Sequence, residues 1–170
     1  LWLNNRFYGM TWSLNYEKEK WNSILGGAYN RYDGDHFGEV VWAQIAVTIP
    51  PFYRYYFNNG KKNDFNIFWK NTIRVHEKIL GFVDMQYRQV DYKALGTEDQ
   101  RVNVDFNVQY NFFNPKIGLT YLVKDDQQFY ASYCIGNREP VRSDFVQAQP
   151  AHPPQPETLH DIEAGWRWRN

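Results

Sequence analysis

The chain has 170 residues, enough for one domain with a core of its own. Aromatic residues make up 19% (13 Tyr, 12 Phe, 7 Trp), yet mean hydropathy is -0.70 and the formal net charge is +0, a balance unlike that of a soluble core filled by Leu, Ile and Val. Neutrality argues against nucleic acid as partner; the single cysteine, Cys134, excludes an internal disulfide; and no run reaches the ~20 apolar residues of a membrane helix.

In chain order, an alternation of period two dominates. The run FYGMTWSLNY puts Tyr8, Met10, Trp12, Leu14 and Tyr16 on one face and Gly9, Thr11, Ser13 and Asn15 on the other. A polar gap at Glu17 to Lys20 reads as a tight turn, and the next strand pattern contains Gly26 and Gly27. An irregular stretch from about Asp33 to Asp64 follows. Within it, YDGDHFGE has the residue types of a hard-metal site, Asp33, Asp35, His36 and Glu39, but reads more simply as a polar external loop in which His36 reaches a ligand. Further on, FYRYYFNNG offers Tyr53 and Tyr55 beside Arg54, rings and a cation suited to stacking on a ligand or to an aromatic girdle.

The next strand places Asn66, Lys70, Thr72 and Arg74 on a polar face, and after the turn at His76 to Lys78 its neighbour does the same with Asp84, Gln86 and Arg88. A second irregular stretch runs from Asp91 to Gln100. In VNVDFNVQYNF the residues Val102, Val104, Phe106, Val108, Tyr110 and Phe112 oppose Asn103, Asp105, Asn107, Gln109 and Asn111, so the first set is expected on the apolar, lipid-side face. Parity of turns and loops favours one long strand from Gln100 to Lys124 in spite of Pro115. Beyond the turn at Lys124 to Gln127, the run Phe129 to Ile135 leads into CIGNREPVRSDF, where Arg138, Glu139, Arg142 and Asp144 crowd around Pro140. Proline there ends ladder pairing and fixes the direction of a loop. Arg138 and Arg142 are candidate contacts for an anionic ligand, with Glu139 and Asp144 as the carboxylates expected to neutralise them. After an irregular stretch from Asn137 to Pro156, HDIEAGWRWR sets Ile162, Ala164, Trp166 and Trp168 against Asp161, Glu163, Gly165, Arg167 and Arg169.

The result is an all-β chain of about seven antiparallel strands in up-and-down order, with tight turns at one end and long loops at the other. Such a chain fits a segment of a transmembrane β-barrel, or a soluble aromatic-rich β-sandwich that binds carbohydrate, since alternation is common to both. No catalytic signature is present: the sequence has no GxSxG, CxxC, HExxH or glycine-rich phosphate loop.

The segments YNRYDGDHFGEV (29–40), YRYYFNNGKKNDFNIF (53–68), DMQYR (84–88), FFNPKIGLTY (112–121), YASYCIGNREPVRSDF (130–145) and PETLHDIEAGWRW (156–168) together resemble the barrel of a TonB-dependent outer-membrane receptor of the Bacteroidetes type. The resemblance implies that residues 1–170 are an internal piece of a larger plugged barrel, with the plug and TonB-contacting box upstream and further strands downstream. It also implies a location in the bacterial outer membrane, among its lipids. The implied activity is ligand-gated uptake of a scarce nutrient through TonB, with an iron chelate (siderophore or haem) favoured over cobalamin or a glycan. The NREP segment would then stand at the outer rim, placing Arg138 and Arg142 at the mouth.

Overall fold

The computed structural model describes residues 1–45, 48–100, 102–148 and 152–169. Seven strands form a single antiparallel sheet in sequence order: β1 (Trp2–Lys18), β2 (Trp21–Val40), β3 (Tyr53–His76), β4 (Ile79–Gly96), β5 (Phe106–Lys124), β6 (Gln127–Arg138) and β7 (Glu157–Trp168). One short helix, α1 (Arg142–Gln147), lies between β6 and β7. Among the described residues the large apolar side chains exposed on this sheet have no facing layer, unlike the two packed layers of the sandwich alternative.

Tight turns at residues 19–20, 77–78 and 125–126 join the strands at one end. At the other end the strands run further than the irregular composition implies. β2 continues to Val40 and β3 begins at Tyr53, so polar, glycine-rich stretches expected as loops are paired strand. β3 has 24 residues, more than twice the roughly 9–11 that a tilted strand needs to cross a bilayer. About half of it therefore stands clear of any membrane.

Register divides the sheet into two faces. The outer face carries an apolar band over residues 8–16, 21–29, 65–73, 79–87, 113–121, 129–135 and 162–168, with Leu14 65%, Leu119 58% and Trp166 56% exposed. Two polar groups on this face are covered by indoles: Trp21 Nε1 donates to Asn71 Oδ1 at 2.8 Å and Trp69 Nε1 to Ser23 Oγ at 3.0 Å. The inner face at the same level is polar. There Lys70 pairs with Asp84 at 3.5 Å and Asn114 Nδ2 donates to Gln86 Oε1 at 3.0 Å.

Beyond the band the meaning of the alternation reverses. Arg31, Asn63, Gln89 and Asn111 point outward, while Val90, Ala94 and Phe112 point inward and are buried. The expected lipid-side placement of Val104, Phe106, Val108, Tyr110 and Phe112 is therefore inverted. They share register with inward Arg88 and Tyr92, or lie buried beside them, and the residues of β5 on the apolar outer face are Phe113, Ile117, Leu119 and Tyr121. Polar-out and apolar-in is the rule of a water-exposed sheet, and this upper half of the strand obeys it.

Candidate functional site

The site grows from an interruption in the sheet. β5 and β6 pair only from Lys116↔Cys134 downward, since Pro115 has no N–H to continue the ladder. Two asparagines close the gap above it: the Asn137 N–H donates to Asn114 Oδ1 at 2.9 Å, and Asn137 Nδ2 donates to the Phe113 carbonyl at 3.1 Å. β6 stays paired with β7 as far as Arg138↔Glu157. At Glu139 and Pro140 the chain then turns inward and crosses the inner face above the apolar band.

Three anchors hold this strap. Glu139, 7% exposed, accepts from Lys62 Nζ at 2.5 Å and from Arg88 Nη1 at 2.8 Å, and Arg88 reaches on to Asp64. Arg142 donates through Nε to Glu98 at 2.8 Å and through Nη2 to Asn58 Oδ1 at 2.5 Å. Asn58, fully buried, in turn donates to the Thr97 carbonyl at 2.9 Å. Phe145 stacks on Phe106 with ring centroids 4.1 Å apart, and Phe106 meets Tyr92 edge-on at 4.9 Å. Residues 139–145 are thereby fixed across β5, β4 and β3. The Asp144 carboxylate accepts from the Val141 N–H at 2.8 Å and so starts α1.

The loop carrying Glu98 is set by Gly96, whose φ of 116° is open to few residues other than glycine. Its N–H donates to Asp105 Oδ1 at 2.7 Å, and the Val104 N–H donates back to the Gly96 carbonyl at 3.0 Å.

Between the strap and β2 lies a cleft of about 380 Å³ whose walls include Tyr32, His36, Tyr92, Arg138 and Arg142. The Tyr32 hydroxyl and His36 Nε2 are hydrogen-bonded at 2.9 Å. Burial, followed by the nearby Arg142 guanidinium, holds the His36 pKa below the ordinary histidine value, so the imidazole is neutral at pH 7. Burial pushes the Glu139 carboxyl up, but hydrogen bonds from Lys62 and Arg88 outweigh it and hold its pKa down at about 2.

Three of the sequence candidates, His36, Arg138 and Arg142, meet at this cleft. Tyr53 and Tyr55 do not. Tyr53 pairs with Val40 at the start of β3, and Tyr55 sits at the bulge opposite Gly38 and Glu39, edge-on to Tyr56 at 5.2 Å. Extra backbone at a bulge re-aims a side chain, and here it lays the Tyr55 ring over Gly38, on the inner face beyond His36 and outside the walls of the cleft. The arginines are neutralised by partners other than those expected: Arg138 pairs with Glu157 at 2.9 Å and Arg142 with Glu98, while Glu139 and Asp144 are engaged elsewhere. Asp33 and Asp35 lie on the outer face and His36 on the inner, so β2 itself splits that cluster.

The residues that sequence reasoning missed are Lys62, Tyr92, Asn58 and Glu98. For Lys62 and Tyr92 a signal existed, because counting by twos from inward Asn66 and Arg88 reaches both. For Glu98 in its loop no periodicity was available.

The model of the family described as TonB dependent receptor-like, beta-barrel matches residues 2–170. No curated protein matches the sequence. Among solved structures, the ferric citrate transporter FecA in its unliganded form superposes with a TM-score of 0.66 at 13% identity, over 98% of this chain and 25% of that one. The closed form of the ferric-catecholate import receptor Fiu from E. coli K12 gives 0.59 at 15% identity, over 98% and 29%. The open form of Fiu gives 0.61 at 14% identity, over 98% and 28%. The chain thus spans between a quarter and three tenths of the receptors it resembles.

Proposed function

Because the chain belongs to the TonB-dependent receptor-like β-barrel family, we propose that it forms part of the wall and outer mouth of a bacterial outer-membrane transporter. The whole protein takes up a scarce nutrient, an iron chelate, with energy delivered through TonB to a plug inside the barrel. The observation that carries this reading is the apolar band on the outer face set against a polar inner face at the same level. A bilayer solvates such a band, and a wet lumen or a plug solvates the other side. The sheet of seven strands is open, and an open sheet edge is not tolerated in hydrocarbon. The working unit is therefore a closed barrel of more strands than these.

The cleft beneath the strap is the ligand contact of this segment, with Arg138, Arg142 and His36 as its polar groups. Guanidinium groups suit the oxygen-rich, anionic surface of a ferric chelate. The choice of an iron chelate draws support from the names of two structural neighbours, a ferric-catecholate import receptor and a ferric citrate transporter.

The test is growth of an iron-limited host whose only outer-membrane iron receptor is the full-length protein. Growth on a ferric catecholate or ferric citrate, lost when TonB is deleted, is the expected result. Growth on neither chelate, with TonB-dependent uptake of a neutral sugar instead, would overturn the choice of ligand while leaving the transporter reading intact.

A further inference from the structure

Above the apolar band the wall has a step. β6 and β7 are paired no higher than Arg138↔Glu157, which, counted on from Lys116↔Cys134, is the level of Phe112. β5 and β4 run on together to Phe106↔Ala94. Over that height β5 has a neighbour on one side only. The Val104 and Leu122 N–H groups donate toward β4, to the carbonyls of Gly96 and Lys78, so the backbone groups of even residues face β4 and those of odd residues face the step. The Phe113 carbonyl, which accepts from the Asn137 side chain, is the last odd group that β6 satisfies. Among the described residues, the N–H and C=O groups of Asn107, Gln109 and Asn111 have no partner on that side.

At about 3.4 Å per residue this leaves roughly 20 Å of open edge. Exposed edges are ordinarily blunted by lysine, proline or a bulge. Here FNVQYNFF (106–113) contains no charged residue and no proline, and its pairing with β4 runs without a register shift. The side chains of Asn107, Gln109 and Asn111 are exposed, and Asn111 is tied back toward β4 by the Tyr87 hydroxyl, which donates to its Oδ1 at 2.7 Å. Nothing on this edge deters a further strand.

A row of N–H and C=O groups at strand spacing is matched by another extended backbone. The chain that follows α1, QAQPAHPPQP (147–156), is unsuited to the place, because Pro150, Pro153, Pro154 and Pro156 have no N–H to give. A second copy in the same membrane is excluded by symmetry: a two-fold axis along the membrane normal runs both β5 strands in one sense and sets like backbone groups against each other. We propose that the β5 edge at Asn107, Gln109 and Asn111 is a docking site for an extended segment of a separate protein outside the cell, which adds as an antiparallel strand in the place that β6 vacates. Its side chains alternate, polar beside Gln109 on the outer face and apolar beside Val108 and Tyr110 on the inner. The external position rests on the barrel reading. The ligand of the mouth is not involved, since none of the three edge residues lines the cleft.

The experiment titrates the full-length receptor in detergent with a fluorescein-labelled octapeptide of alternating threonine and valine. In a strand the direction of the N–H and the face of the side chain are coupled, so threonines set outward beside Gln109 turn their N–H groups toward β5. Saturable binding is expected, lost when the threonines are N-methylated and kept when the valines are. Gln109→Pro removes one unpaired N–H, which an edge strand tolerates, so melting should be unchanged while peptide affinity falls about tenfold. No saturable binding, or equal loss with both methylated peptides, would overturn the site. So would a lower melting temperature of Gln109→Pro, which would show that the receptor's own chain already fills the edge. Binding to the purified receptor that is absent on intact cells would overturn the external partner, and the orientation of the barrel with it.

Discussion

The Glu139 carboxylate lies between Lys62 and Arg88, accepting from the first at 2.5 Å and from the second at 2.8 Å. One nearly buried residue on the strap thereby ties β3 to β4 at the mouth. Removing it leaves partly buried Lys62 without a counterion and Arg88 with Asp64 alone. Glu139→Ala is expected to lower the stability of the full-length receptor in detergent by about 1–3 kcal/mol, the cost of an unpaired charged group. Glu139→Gln keeps one acceptor oxygen and should lose less. Melting temperatures of the two variants that match the parent would show that the strap does not depend on this carboxylate.

The same carboxylate makes the strap sensitive to acid. Its pKa is about 2 in the folded protein against an ordinary value of 4.5, so the folded state favours the charged form. That stabilisation is complete above about pH 4.5 and is lost as pH falls toward 2. The strap should loosen in that window and not between pH 5 and 7. Protease accessibility of residues 139–147, followed as a function of pH, is the measurement. Opening already complete at pH 5 would contradict the network.

The two faces of the sheet should respond differently to charge. Trp12→Lys, directed at hydrocarbon, should cost about 2–4 kcal/mol if near the midplane, whereas Ser13→Lys points to the inner face and should be mild. In β5 the contrast moves along the strand: Ile117→Lys should be damaging and Asn111→Lys tolerated, because Asn111 faces water above the band. Val104→Lys should also be damaging, since Val104 is 2% exposed, but through burial in the mouth and independently of bilayer thickness. Folding yield in bilayers of different thickness separates the two causes. Damage at Ser13 equal to that at Trp12 would reverse the face assignment.

Strand number, strand order and the tight turns were legible because each follows from local alternation and turn composition. The lipid-side residues of β1 and β7 were legible for the same reason: Trp12 and Trp166 have small or polar neighbours on either side. The upper half of β5 was misread because periodicity gives two faces and not which one meets lipid. Asn107, Gln109 and Asn111 look like a lumen until the strand is known to rise past the membrane. At the mouth, Arg138, Arg142 and His36 were recognisable as chemistry, but their partners were not. Glu139 meets Lys62 across 77 positions of sequence, and only the register of intervening strands brings them together.

The two arginines of the mouth should separate in function. Arg138 and its partner Glu157 are 64% and 69% exposed, so their ion pair contributes about 0–1 kcal/mol and is easily exchanged for another anion. Arg142 is 20% exposed and spends its Nε and Nη2 donors on Glu98 and Asn58, which makes it part of the wall. Arg138→Ala should therefore weaken binding of an anionic ferric chelate about tenfold, or roughly 1.4 kcal/mol, with melting unchanged. It should also flatten the dependence of the association rate on salt, because an exposed cation at the rim steers an anion over distances that ions screen. Arg142→Ala should lower the melting temperature, and affinity should fall with it, because the cleft loses its support. Binding and melting of both variants in the full-length receptor decide the matter. Unchanged affinity and unchanged salt dependence in Arg138→Ala would reduce that residue to a rim charge. A tenfold loss in Arg142→Ala with no change in melting would transfer the ligand contact from the first arginine to the second.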